Sequence, residues 1–146
     1  MKFKLTLLSC IFLATYLIFA STSCNPDVPK SKLLEEQVMG IHDEVMPKMT
    51  DLQSAKKELE LALANGADST KVFELLDQID DADESMMVWM EEYQIPDEAS
   101  SEEDKLTYLN LELSRINDVK NKMLKALEIV NNYTMQFIKP INDTIQ

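Results

Sequence analysis

The chain has one histidine and nine methionines, and they are not scattered evenly. His42 stands in Ile41-His42-Asp43-Glu44-Val45-Met46-Pro47-Lys48-Met49. At helical spacing Val38, Val45, Met46 and Met49 all fall within about 60° of it on one face. A second group is Met86-Met87-Val88-Trp89-Met90. Neutral imidazole and thioether sulfur form the soft ligand set that selects Cu(I) or Ag(I), and an indole can cover such an ion. Two readings are open. In the simpler one these residues are core: methionine fills irregular apolar gaps and His42 takes one hydrogen-bond partner. In the rival one His42, Met46, Met49, Met86, Met87 and Met90 converge on a soft metal ion beneath Trp89.

In residue types the rival set resembles the His, Met and Trp site of periplasmic copper-efflux chaperones. Those are small β-barrels, so the resemblance covers the ligand inventory alone. Asp83 is a second misfit, a carboxylate in an apolar stripe. A buried charge must be paired, and Lys48, Thr50, Tyr108 or Arg115 are its expected partners. Asp77, Asp80, Asp81 and Glu84 share an outer helical face, which reads as solvated because it lacks the glycine and the spacing of a calcium loop. With no Ser/His/Asp set, no zinc spacing and no phosphate cradle, an enzyme is a poor fit.

The elements that must position these residues are helical. Val38, His42, Val45, Met49, Leu52, Lys56, Leu59 and Leu63 alternate at spacings of four and three, the sign of one helix face. Asn65-Gly66 then supplies a left-handed cap, and Asp68 or Ser69 starts the next helix. That helix carries Val72, Leu76, Ile79, Asp83, Met86, Met90 and Tyr93 and stops before Pro96. Ser100-x-x-Glu103 reads as the capping box of a third. Leu106, Leu109, Leu113, Ile116, Val119, Met123, Leu127, Val130, Tyr133 and Phe137 keep its phase until Pro140. No strand pattern appears. The predicted fold class is all-α: an up-down-up three-helix bundle with coiled-coil character, a long third helix and a kink at Pro47 in the first. Counted outward from Gly66, His42 is level with Met90 and Met46 with Met87. The third helix outreaches the second, so Ala126, Ile129, Val130, Tyr133 and Phe137 are expected to overhang and to be covered by helix one or by a second copy.

The first residues decide location. Lys2 and Lys4 precede an apolar run over 5–20, and Ser21-Thr22-Ser23 lead into Cys24, the pattern of a lipoprotein signal. Ser21 stands where such signals usually carry Leu, so ordinary secretory cleavage is the alternative. The expected organisation is a removed signal peptide over 1–23, a lipidated Cys24 with an extended tether over 24–32, a bundle over 33–139 and a C-terminal tail over 140–146. What remains suits one domain able to bury its own core. Losing Lys2 and Lys4 makes the formal charge of −12 two units more negative. Nucleic-acid binders cluster Lys and Arg, so nucleic acid is excluded as a partner, and an acyl chain on Cys24 must supply membrane attachment. Cys10 lies in the removed segment, so no internal disulfide can form and no further cofactor is called for.

His42-Asp43-Glu44-Val45-Met46-Pro47-Lys48-Met49 and Met86-Met87-x-Trp89-Met90, behind a lipoprotein signal, resemble a family of small bacterial lipoproteins labelled "viral A-type inclusion protein". The resemblance spans the signal and the first two helices. It implies no activity that can be carried onto residues. What it does imply is a lipid-anchored protein of a Gram-negative cell envelope. Residues 25–32 lack the acidic run typical of surface-exported lipoproteins, which favours an outer-membrane protein facing the periplasm. The expected role is a non-enzymatic structural or interaction module whose partner is a cell-envelope protein or a second copy of the chain.

Overall fold

A computed structural model describes residues 28–137. The expected signal peptide, Cys24, the start of the tether and the tail over 140–146 lie outside the described residues. The described chain is all-helical: α1 (Lys30–Val45), α2 (Lys48–Ala64), α3 (Ser69–Glu92) and α4 (Glu102–Thr134). None of these helices is long and apolar enough to cross a membrane.

α1 begins at Lys30, so residues 30–32 of the expected tether are helical. Pro29 offers no side-chain cap, and first-turn N–H groups have no partner inside their own helix. A carboxylate from another helix fills the gap: the Ser31 N–H donates to Glu102 Oε1 at 2.9 Å and the Ser31 hydroxyl to Oε2 at 2.7 Å.

Between α1 and α2 the Met46 N–H still donates to the His42 carbonyl. Pro47 has no N–H to continue the ladder. Met49 and Thr50 donate instead to the carbonyls three residues back, on Met46 and Pro47. Both Met46 and Pro47 keep right-handed helical angles, and the buried phase passes through them from Val45 to Leu52.

α2 ends in a Schellman turn. Ala67 N–H donates to the Ala62 carbonyl, Gly66 N–H to that of Leu63, and Gly66 sits at φ +92°, where any other residue is strained. Asp68 then caps α3 by accepting from Lys71 N–H at 2.8 Å. α4 starts one residue later than the Ser100/Glu103 box proposed: Ser101 Oγ accepts from Asp104 N–H at 3.1 Å and donates to the Asp104 carboxylate at 2.6 Å. Both registers are available in Ser-Ser-Glu-Glu-Asp. The one adopted puts Glu102 in the first turn, where it reaches Ser31.

The core joins Val38, Val45, Leu52 and Leu59 to Val72, Leu75, Ile79 and Met86 and to Ile116, Met123 and Val130, all essentially inaccessible. Ala62, not Leu63, closes the α2 stripe. Polar links tie the helices at matching levels. Ser31, Glu44 and Glu58 bond to Glu102, Lys120 and Thr134, at chain separations of 71, 76 and 76 residues. Lys56 pairs with Asp80 and Gln53 bonds to Asp83 across α2 and α3. Arg115 pairs with Glu92 and Lys122 with Asp81 across α3 and α4.

α4 has 33 residues, against 16 and 17 in α1 and α2. Two helices in series therefore cover its length, and the expected C-terminal overhang does not form. Val130 and Thr134 are buried, Tyr133 and Phe137 pack against the core, and the Asn65 side chain donates to the Phe137 carbonyl at 3.4 Å. α4 outruns α3 at its other end. There residues 102–109 lie beside the start of α1 and the segment over 93–101.

Candidate functional site

The helical phase that buries Val38 and Val45 brings His42 to the edge of the core, where α3 presents Trp89. Their ring centroids are 5.7 Å apart and tilted by 35°. Trp89 in turn stacks on Tyr93 at 4.9 Å, and Tyr93 faces Tyr108 at 6.3 Å. Four rings from α1, α3, the residue after α3, and α4 thus form a continuous row.

His42 Nδ1 lies 2.9 Å from Asp43 Oδ1. With the proton on Nδ1 and donated to this carboxylate, Nε2 keeps its lone pair, the arrangement by which second-shell carboxylates prepare a histidine for a metal. The methionines separate. Met86 is fully buried, Met49 and Met90 are partly buried against the core, and Met46 and Met87 are exposed, Met87 by 52%. Met86 and Met87 are neighbours in one helix and so leave it about 100° apart. The structure unites His42 with Trp89 and divides the six proposed ligands between core, edge and solvent. Among the described residues no three His, Cys, Asp or Glu side chains group as a metal site.

Beside the ring row lies a residue that the sequence reading missed. Glu112 is only 1% exposed; one oxygen accepts from Arg115 Nη1 at 3.0 Å, while Oε2 has no partner among the described residues. Trp89 Nε1 and the Tyr93 hydroxyl are likewise buried and unpartnered. Trp89 Nε1 and the Tyr93 hydroxyl can donate and Glu112 Oε2 can accept, and none of the three has a partner among the described residues. Burial pushes the Tyr93 phenol up to about 12, helped by the negative charge of Glu35, the Tyr108 phenol and Glu112. Arg115 is held above its ordinary range by its bond to Glu92, with Glu112 adding to the effect against partial desolvation. The signal for Glu112 was the three-residue step from Leu109 and the four-residue step to Ile116. Leu113 meets the same two residues by a four-residue and then a three-residue step, so the spacing admits both positions, and the packing of α4 buries Glu112, with Arg115 one turn on.

Asp83 does not take any of its expected partners. Its Oδ2 accepts from Gln53 Nε2 at 3.4 Å and its Oδ1 is buried without one. Lys48 binds Asp51, Tyr108 meets Gln94, and Arg115 serves Glu92 and Glu112. The acidic face of α3 is less idle than a solvated stripe, since Asp80 and Asp81 hold Lys56 and Lys122 of the neighbouring helices.

No family model, curated protein or solved structure matches this chain. Its function is therefore read from its own residues.

Proposed function

We propose that the chain is a lipid-anchored, periplasm-facing helical lipoprotein of the Gram-negative outer membrane, acylated on Cys24 and acting as a non-enzymatic structural or protein-interaction module. The observation that carries this reading is the order of the first thirty residues: a basic start, an apolar run, small residues, a cysteine, and then only 25–29 before a helix begins at Lys30. The module is an up-down-up bundle in which α1 and α2 act as one rod bent at Pro47. In its support, the separation between bonded residues stays near constant along α1, α2 and α4, as parallel helices require. Its partner is a cell-envelope protein or a second copy, not nucleic acid, since acids outnumber bases by 26 to 14.

The test is Cys24→Ser in the full chain. The parent is expected to sediment with membranes and to carry acyl mass on its N-terminal peptide, and the variant to be soluble and unacylated. Equal sedimentation of the two overturns the reading.

A second reading, Cu(I) or Ag(I) binding at His42, is favoured by the Nδ1 contact with Asp43 and by Trp89 standing over the imidazole. Met49 and Met90, at the edge of the core, are better placed for it than the buried Met86 or the outward Met87.

A further inference from the structure

The segment over 93–101 joins α3 to α4 and carries the most exposed large apolar side chain described in the protein, Ile95, at 75%. A loose loop would fold such a residue away from water. This one is braced on both sides of Ile95. Gln94 N–H donates to the Tyr108 hydroxyl at 2.8 Å, Lys105 Nζ donates to the Glu98 carbonyl at 2.9 Å, and Ala99 N–H donates to Asp97 Oδ1 at 3.0 Å. Ile95 and Pro96 also line one shallow groove with Pro29, Ser31 and Lys32, so the loop tip sits beside the point where the chain enters α1. Val28 and Leu33, each about half exposed, belong to the same end. The bond from Ser31 to Glu102 holds this end together as one face.

We infer that this end face rests on the lipid bilayer, with Ile95 inserted at the interface between headgroups and acyl chains and Val28 and Leu33 beside it. The inference rests on the proposed acylation of Cys24. Four residue steps separate Cys24 from Val28, a reach of at most roughly 14 Å, so an acylated Cys24 keeps this end within contact of the membrane and leaves the α2–α3 turn at the far end. The contact orients the bundle and does not hold it. Glu98, Glu102, Glu103 and Asp104 outnumber Lys30, Lys32 and Lys105 around the face, so it suits zwitterionic better than anionic headgroups.

The test uses the mature full chain reconstituted in phosphatidylcholine vesicles, where acylation leaves no other free thiol. Nitroxide labels are placed at Ile95→Cys, at Leu33→Cys as an independent position on the same face, and at Phe73→Cys, an exposed site one turn after the α2–α3 connection. Mass spectrometry of the N-terminal peptide reports the acyl group in the same samples. With Cys24 acylated, the expected result is a severalfold higher ratio of oxygen to nickel-chelate accessibility at 95 and 33 than at 73, falling when anionic lipid is added. An acylated, vesicle-bound protein with equal ratios at all three positions overturns the docking and leaves the anchor intact. Dipolar broadening between labels at 95 places a second copy on the face and also overturns it. A Cys24 without acyl mass overturns the anchor and the docking together.

Discussion

The Ser31 hydroxyl and backbone N–H both donate to the carboxylate of Glu102, so the first residue of α4 caps the first turn of α1, 71 positions earlier in the chain. These bonds hold the Glu102 carboxyl below the usual glutamate range, the backbone bond contributing most. A carboxyl lowered in the folded state adds stability that is complete above its unfolded pKa and is lost as pH falls through the folded value. Thermal unfolding scanned downward from neutral pH should show a loss on the acid side of the glutamate range. Glu102→Gln should start with a lower midpoint and lose less on acidification. An unchanged acid slope removes the cross-helix cap as its cause.

Glu112 sits in the α4 seam at a cost. Replacing a buried ion pair with apolar groups of similar size is often neutral or stabilising by about 1–4 kcal/mol, and Arg115 keeps Glu92 as a partner. Glu112→Leu is expected to raise or preserve the urea midpoint. A large loss of stability would mean that the Glu112 contact with Arg115 organises the bundle.

Core positions respond by size. Met123→Ala should cost about 2–5 kcal/mol, and Met86→Leu, which keeps volume, under about 1.5. Truncation after Ile129 removes the buried Val130 and Thr134, so it should unfold the far end and not merely release a partner. Denaturant unfolding followed by circular dichroism measures all three.

Tyr93 should ionise late. Below pH 10 its proton costs nothing, because folded and unfolded chains both keep it. Between about 10 and about 12 the unfolded chain loses the proton first, so stability falls with rising pH and levels off above that window. Absorbance titration at alkaline pH should show a late phenol step that is absent in Tyr93→Phe.

Titration of the reduced protein with Ag(I) tests the soft-metal reading. Saturable quenching of Trp89, abolished by His42→Ala together with Met90→Leu and unaffected by Met87→Leu, is the expected signature of a site. Unchanged fluorescence with no retained metal leaves a packed core as the sufficient account.

Spacing and turn chemistry by themselves determined that the chain is helical, that one helix ends at Gly66 and the next begins at Asp68 or Ser69, and that the buried phase continues through Pro47. These are local properties, fixed by a side chain and its neighbours within a turn or two. Counting outward from the same turn also put His42 level with Met90, one residue from the Trp89 that it meets. The tertiary structure alone decided which of two adjacent positions faces inward. Glu112 over Leu113 and Ala62 over Leu63 follow from how α4 and α2 rotate against their neighbours, and apolar periodicity tolerates that rotation. It also decided which polar groups meet, as Ser31 with Glu102 and Gln53 with Asp83, because a hydrogen bond needs atoms placed to within a fraction of an ångström, while counting residues fixes a level only to within a turn. The end at which α4 projects belonged to the same class. It depended on α1 and α2 lying in series along α4, a relation between segments far apart in the chain.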